Sequence, residues 1–251
     1  MRPDLLILLV VAVSCSVNGV AANKLPESYP LCKKTDPKLN ECIEKAAKVV
    51  LPQLRAGIPS INVPSIDPLK VTTINIGQGH GPISINIKFS DITVTGISDA
   101  QVHKADIDLK KYSLIFKGAI QNVSFVSQYE MTGRILLLPV TGQGPCKLTF
   151  TNIQANLGPK GKGVMKKGKN YFDVTEFFLN INGLDKLQVQ FDNLFNGDKT
   201  LGASMNNLLN ENWKDLWSEL KPAFDEVFGE VFHQYSKGIF SGVAFDEIFL
   251  D

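Results

Sequence analysis

Two glycine clusters are the first places in this sequence to examine for chemistry, because glycine-rich loops cradle phosphate groups in many nucleotide-binding proteins. The clusters span residues 77–82 and 142–145. A Walker-type phosphate loop needs Gly-Lys-Ser or Gly-Lys-Thr at the start of a helix, and a dinucleotide fingerprint needs a strand-to-helix turn. Both clusters instead lie between stretches with strand-like alternation. We therefore predict two hairpin turns and no phosphate site.

The histidines offer a second possibility, since histidine is a common general base and metal ligand. The three histidines, His80, His103 and His233, are far apart and have no evident nucleophile or carboxylate companion. The sequence also lacks the GxSxG motif of serine hydrolases and the HExxH motif of zinc proteases. The pattern predicts that the protein is not an enzyme and that it carries neither a metal nor an organic cofactor.

The N-terminus has the order of a secretory signal peptide. Arg2 precedes an apolar run over residues 5–13, and small residues follow up to Ala22. The run is too short to cross a bilayer, which leaves a retained membrane anchor as the less favoured interpretation. We predict cleavage after Ala22, a mature chain of residues 23–251 that forms one domain, and a secreted, extracellular protein without stable membrane insertion.

Cysteine pairing follows from that prediction, because Cys15 leaves with the signal peptide. Cys32 and Cys42 lie close together in sequence on either side of an Asp-Pro turn. An oxidising compartment favours a disulfide between them. Cys146 then has no partner and is expected to be a buried free thiol.

The charge balance argues against nucleic acid as a partner. The chain has 26 basic and 25 acidic residues, and its formal net charge is +1. Lysines alternate with glycines over residues 160–169, without an aromatic surface on which bases could stack. We predict a solvated hairpin turn there, with a contact to phosphate or anionic lipid as the alternative.

Three patterns follow one another along the mature chain. Apolar residues recur at helical spacing over residues 39–54, which predicts a helix that ends at Gly57. Residues 66–195 then alternate between apolar and polar, as in an antiparallel sheet. Phase shifts near Ile92 and before Tyr112 predict bulges or bends in that sheet.

The third pattern is a long amphipathic stripe from Leu201 to Tyr235, which predicts one long helix or two helices in line. Pro222 lacks an amide donor and is expected to kink the helix or to begin the second one. A stripe this long cannot be buried alone, and a curled sheet needs a core. We therefore predict an α+β fold in which a strongly curved antiparallel β-sheet wraps a long amphipathic C-terminal helix.

The apolar face of the predicted sheet carries more large side chains than a packed core of this length requires. This excess predicts a continuous apolar cavity between the sheet and the long helix. Twelve residues are the candidate ligand-binding side chains: Phe89, Leu114, Phe116, Phe125, Tyr129, Met131, Phe150, Leu179, Trp213, Leu216, Leu220 and Phe224. The Tyr129 hydroxyl is expected to meet either the cavity or a core partner. Asn122 lies in the only Asn-X-Ser/Thr sequon of the chain. We expect it on the solvent-exposed face of the sheet, as a glycosylation site.

Several segments together resemble one known family. They are the two cysteines Cys32 and Cys42 before an amphipathic helix, and residues 66–69, 129–139, 194–199 and 209–213. In these segments the chain resembles the insect Takeout and juvenile hormone binding protein family across nearly its whole mature length. The resemblance implies a haemolymph protein with a tubular lipid-binding fold of the super-roll type, in which sheet and helix enclose a tunnel for apolar ligands.

One departure from that family favours its Takeout-like branch. The hormone carriers join the strand that holds Cys146 to a downstream cysteine, and this chain has no downstream cysteine. The expected function is a monomeric carrier of a small hydrophobic molecule, such as a juvenile hormone-like terpenoid, a fatty acid or a pigment. Two alternatives from other classes are an extracellular interaction protein with a packed interior and a membrane-active lipid transfer protein.

Overall fold

The computed structural model describes residues 25–61, 63–77, 83–135 and 138–251. The predicted signal peptide, His80 and residues 78–82 of the first glycine cluster lie outside these described residues. The helices and strands, in chain order, are β1 (Cys32–Lys33), α1 (Leu39–Gln53), β2 (Leu69–Gly77), β3 (Ile83–Thr95), β4 (Gln101–Asp108), β5 (Ser113–Ile135), β6 (Leu138–Lys166), β7 (Lys169–Gly183), β8 (Lys186–Phe191), α2 (Lys199–Glu211), α3 (Trp213–Gly242), α4 (Phe245–Ile248) and β9 (Phe249–Leu250).

Seven of these strands form one antiparallel sheet, which confirms the predicted sheet. The path is β2-β3-β5-β6-β7, with β4 also paired to β5 and β8 also paired to β6. β5 and β6 are 23 and 29 residues long, and each pairs with different neighbours along its length. At one end they are flanked by β3 and β8, and at the other by β4 and β7. The sheet therefore has two halves that share the same pair of long strands.

One of the two predicted phase shifts is a bulge and the other is a hairpin. The register between β3 and β5 shifts between Ser90 and Thr93, where Asp91 has a φ of 52°. This irregularity confirms the bulge predicted near Ile92. The shift before Tyr112 instead marks the turn between β4 and β5, because the chain reverses direction there.

The two glycine-rich segments differ in structure. β2 and β3 pair antiparallel on either side of residues 78–82, as expected for a hairpin. Residues 142–145, however, lie inside β6, so the hairpin predicted there is wrong. Close packing explains the glycine, since a Cβ on Gly142 would stand 2.6 Å from the Tyr129 hydroxyl oxygen and 3.0 Å from the Cα of Leu194.

The predicted lysine-rich turn is a hairpin. Lys166 pairs with Lys169 across a two-residue turn formed by Lys167 and Gly168. Both turn residues have positive φ, 50° and 77°, as a tight hairpin requires.

The predicted amphipathic stripe forms two helices, α2 and α3, but Pro222 does not separate them. α2 begins at an N-cap, since the Asp198 carboxylate accepts hydrogen bonds from the amides of Thr200 and Leu201. The break between α2 and α3 lies at Asn212, which has φ −104° and ψ 30°. Pro222 lies inside α3, where Leu220 and Phe224 are buried on either side of it. Tertiary packing of the apolar stripe therefore carries the helix past the missing amide.

Candidate functional site

The two halves of the sheet are filled differently. The half that contains β2, β3 and β8 packs tightly against α2 and the first part of α3. The other half of the sheet contains β4 and β7. A cavity of about 470 Å³ lies between this half, α1 and the second part of α3. This volume falls within the range of small-molecule sites, about 300–1,000 Å³. The cavity is the candidate site.

The sheet forms one wall of the cavity. In both long strands, β5 and β6, the residues that face the cavity switch between even and odd positions at the same level of the sheet. In β5 most of the cavity-lining residues up to Ile120 are at even positions, and those from Val123 onward are at odd positions. The same change occurs in β6 between Phe150 and Ile153, where Asn152 has a φ of 52°. These positions face each other in the register. The sheet therefore bends without losing its apolar inner face.

Two helices form the opposite walls. The face of α3 toward the cavity repeats at spacings of four and three, as in an amphipathic helix: Phe224, Phe228, Phe232, Tyr235, Ser236, Ile239 and Phe240. α1 and the turn after it present smaller side chains: Ile43, Ala46, Ala47, Val50, Leu51 and Leu54. The two alanines leave space that larger residues would occupy.

An aromatic cluster separates the cavity from the packed half. The ring centroid of Phe224 lies 5.7 Å from those of Phe150, Trp217 and Phe228 and 6.4 Å from that of Phe125. Phe224 is only 4% exposed and belongs to both the core and the cavity wall. Phe224 therefore lies at the boundary between the packed half and the half that holds the cavity, hereafter the hollow half.

Polar groups in the wall are few and mostly occupied. The Tyr235 hydroxyl donates a 2.9 Å hydrogen bond to the carbonyl of Ser65, and the Ser236 hydroxyl donates to the carbonyl of Phe232 at 2.8 Å. Burial raises the pKa of Tyr29 and of Tyr235, so both phenols stay neutral at physiological pH. The wall therefore suits a largely apolar ligand.

The structure places half of the twelve predicted ligand-binding residues in the cavity wall. Those six are Leu114, Phe116, Phe125, Phe150, Leu179 and Phe224. The other six lie in the packed half, away from the cavity: Phe89, Tyr129, Met131, Trp213, Leu216 and Leu220. Strand parity predicts that a side chain points inward, but both halves of the sheet have an inward face. Parity alone therefore does not distinguish the filled half from the hollow one.

The Tyr129 side chain is buried in the packed half and does not line the cavity. Its hydroxyl donates a 2.6 Å hydrogen bond to the carbonyl of Asp192, and the residue is 1% exposed. Its ring packs edge-on against Phe191, with centroids 4.8 Å apart. Of the two environments expected for this hydroxyl, the structure has the core one.

Sequence reasoning missed the contribution of α1 and of the second half of α3. Phe228 and Phe232 continue the four-residue spacing that starts at Phe224, so their signal was present in the sequence. The α1 stripe was recognised as a helix face, but nothing local indicated what that face would contact. Ile120 and Ile153 lie where the phase changes, and a simple alternation rule cannot assign them.

The cysteines follow the prediction. Cys32 and Cys42 form a disulfide, and Cys32 also lines the cavity. Cys146 is free and 4% exposed, with its Sγ 3.1 Å from the Ser127 hydroxyl oxygen. Burial raises the pKa of the Cys146 thiol to about 11, so it is protonated and unreactive at neutral pH.

Asn122 is exposed and its neighbour Val123 is buried, which confirms the predicted strand register.

His103 is exposed, and His233 places its Nε2 atom 3.1 Å from the Val174 carbonyl oxygen. Within the described residues, no three His, Cys, Asp or Glu side chains are grouped closely enough to hold a metal ion. The helices in this part of the chain also include none that is both long and apolar enough to span a membrane.

A second concavity of about 530 Å³ lies on the outer face of the packed half. Its walls are rows of polar side chains on neighbouring strands, such as Asn75, Lys88, Glu130 and Gln143. Lys88 and Glu130 form an exposed ion pair of 3.3 Å there. This arrangement is typical of a solvated sheet face, so the apolar cavity remains the candidate site.

Comparison with known proteins agrees with this geometry. The sequence model of the family described as "Haemolymph juvenile hormone binding protein (JHBP)" matches residues 6–250. The chain belongs to this family. Its similarity to a Takeout crystal structure also confirms the predicted tubular lipid-binding fold. For Takeout 1 of Epiphyas postvittana, the TM-score is 0.77 and the identity 25%, over 88% of this chain and 100% of that one.

Two relatives illustrate the range of similar sequences. "Circadian clock-controlled protein daywake" of Drosophila melanogaster is 23% identical over 247 residues, which cover 94% of this chain and 92% of daywake. "Putative beta-carotene-binding protein" of Schistocerca gregaria is 21% identical over 218 residues, covering 86% of this chain and 85% of that protein.

Proposed function

We propose that the protein is a secreted carrier that binds one small hydrophobic molecule in the cavity. The observation that carries this proposal is the 470 Å³ space between the sheet, α1 and α3, with its nearly continuous apolar wall. An extracellular interaction protein would have no need to leave such a space empty of side chains, because voids cost stability. Family membership supports the same proposal, since the family is named for binding and not for catalysis.

Burial of apolar surface supplies enough free energy for useful affinity. A chain of about 15 carbons gains about 12 kcal/mol at about 0.8 kcal/mol per methylene. Association costs of at least about 4 kcal/mol offset part of this gain. The remaining ~8 kcal/mol corresponds to a micromolar dissociation constant, without any hydrogen bond to the ligand.

The ligand class follows from the wall. Because the hydroxyls of Tyr235 and Ser236 donate to backbone carbonyls, they offer few hydrogen bonds to a ligand, so most of the ligand must be apolar. A terpenoid of the juvenile hormone type, a fatty acid or a pigment has the required apolar length. The names of the family and of the locust relative, which refer to juvenile hormone and beta-carotene, support this range.

Secretion is part of the proposal. Residues 1–22 have the order of a signal peptide, and the Cys32–Cys42 disulfide requires an oxidising compartment. Expression of the full chain in insect cells should deliver a monomer to the medium, with Asn23 as its first residue. N-terminal sequencing and size-exclusion chromatography of the medium test this. An intracellular product that retains residues 1–22 would contradict secretion.

The carrier proposal is tested by native mass spectrometry of the protein purified from its source, followed by titration of the delipidated protein with a fluorescent fatty acid. We expect a co-purified small molecule and saturable uptake of one probe per chain. Uptake that does not saturate, from a protein that is folded by circular dichroism, would favour the interaction-protein alternative.

A further inference from the structure

Two hairpins lie side by side at the end of the sheet that holds the cavity. Residues 109–112 join β4 to β5, and a two-residue turn joins β6 to β7. The amide of Gly161 donates a 3.0 Å hydrogen bond to the carbonyl of Tyr112. The side chain of Asn170 donates to the Tyr112 hydroxyl at 2.7 Å. These contacts fix the two hairpins against each other.

The paired hairpins carry six exposed lysines, hereafter the lysine tip: Lys110, Lys111, Lys162, Lys166, Lys167 and Lys169. Lys111 pairs with Asp108 at 3.2 Å and Lys169 with Glu247 at 2.6 Å. The other four form no ion pair with any residue that the structure describes, although Asp173 lies opposite Lys162 in the register. The tip therefore concentrates positive charge in a chain whose formal net charge is only +1.

An exposed apolar side chain, Met165, directly precedes two of these lysines in the chain. Met165 is 67% exposed, the largest fraction among the exposed large apolar residues of the described chain. A flexible, exposed apolar side chain next to Lys166 and Lys167 in the chain matches an anionic lipid surface, because the headgroups attract the lysines while the methionine enters the interface. A soluble polyanion would engage the lysines but would give Met165 no reason to be exposed.

The lysine tip is connected to the end of the cavity. Lys169 pairs with Glu247 of α4, and the next two residues, Ile248 and Phe249, line the cavity. Phe249 pairs in turn with Cys32, whose neighbour Leu31 lines the cavity and is 42% exposed. The cavity wall thus reaches the surface close to the tip.

We propose that the lysine tip docks reversibly on an anionic lipid surface, with Met165 in the headgroup region. Docking brings the exposed Leu31 end of the cavity to the bilayer, where an apolar ligand can pass between membrane and protein without crossing water. The docking step stands independently of ligand binding, whereas the ligand transfer that it assists rests on the carrier function proposed above.

Vesicle sedimentation tests docking directly. We expect the mature protein to sediment with vesicles of phosphatidylcholine and phosphatidylserine, but not with pure phosphatidylcholine, and to be released by high salt. The Lys166→Glu/Lys167→Glu variant should bind the anionic vesicles at least about tenfold more weakly, because each lysine near an anionic surface adds to the attraction. Met165→Ser should weaken binding by a smaller factor and leave the salt dependence unchanged.

Matched controls keep the result interpretable. Lys70→Glu/Lys147→Glu makes the same change in net charge at exposed positions outside the tip, and Leu201→Ser removes a side chain that is 52% exposed on α2. Both controls should sediment like the unchanged protein. Equal losses in the tip and control variants, binding to neutral vesicles, or retention on heparin without vesicle binding would overturn the proposal. Uptake of a fluorescent fatty acid in solution, measured on every variant, reports the carrier function separately.

Discussion

The Tyr129 hydroxyl donates a hydrogen bond of 2.6 Å to the backbone carbonyl of Asp192. This contact joins the middle of β5 to the segment that follows β8, and it closes the packed half of the molecule. Gly142 permits it, because a Cβ at that position would lie 2.6 Å from the same hydroxyl oxygen. The most tempting candidate for a polar ligand anchor is therefore a structural residue.

Tyr129→Phe should accordingly lower stability without changing ligand uptake. The variant loses one hydrogen bond, which predicts a decrease of about 1 kcal/mol in the free energy of unfolding. Urea denaturation measures the decrease, and titration with a fluorescent fatty acid should give the same dissociation constant as the unchanged protein. Gly142→Ala should destabilise the protein through the same contact. A tenfold loss of affinity in Tyr129→Phe would place its hydroxyl at the ligand and contradict the cavity assignment.

The sequence was sufficient for the layers of the fold but not for the position of the cavity. Alternation along β5 and β6 predicted which side chains point inward, including Phe125, Phe150 and Tyr129. It did not predict that the same two strands cover a filled half and a hollow half, since that depends on which helix packs over each end. The small residues Ala46 and Ala47 of α1 create part of the space, and their role appears only in the tertiary contacts.

Two substitutions should separate the packed half from the hollow half. Leu216→Ala removes a core side chain that is 2% exposed, which should cost about 2–5 kcal/mol of stability and leave the affinity for ligand unchanged. Phe232→Ala removes part of the cavity wall, so its stability cost should be smaller and its loss of affinity larger. Denaturation and fatty acid titration on the same preparations give both quantities. The reverse ranking would contradict the division of the molecule into these halves.

The Cys32–Cys42 disulfide should hold the N-terminal segment against the cavity. Leu31 and Cys32 line the cavity beside α1, to which Cys42 belongs. The double variant Cys32→Ser/Cys42→Ser should lose about 2–3 kcal/mol of stability and release ligand faster. Stopped-flow displacement of the fluorescent probe measures the release rate. An unchanged release rate in the folded variant would show that this segment does not retain the ligand.

Cys146 should make stability fall at alkaline pH. Burial raises the pKa of its thiol from 9.0 to about 11, so the unfolded chain loses its proton first as the pH rises. The contribution is complete below pH 9 and is lost between about pH 9 and 11, with a size on the order of 2 kcal/mol. The stability difference between the unchanged protein and Cys146→Ala should shrink across this interval. Urea denaturation at several pH values checks it, and a constant difference would contradict the buried thiol.

Titration of variants that obstruct the cavity tests the central claim most directly. Ala155 lines the cavity, and Ala203 lies exposed on α2 as the matched control position. Ala155→Trp should fill much of the space and weaken binding of a fluorescent fatty acid at least about tenfold, equivalent to ~1.4 kcal/mol. Ala203→Trp should bind like the unchanged protein, with one probe per chain. Full affinity in a folded Ala155→Trp variant would show that the ligand lies elsewhere and would contradict the carrier account.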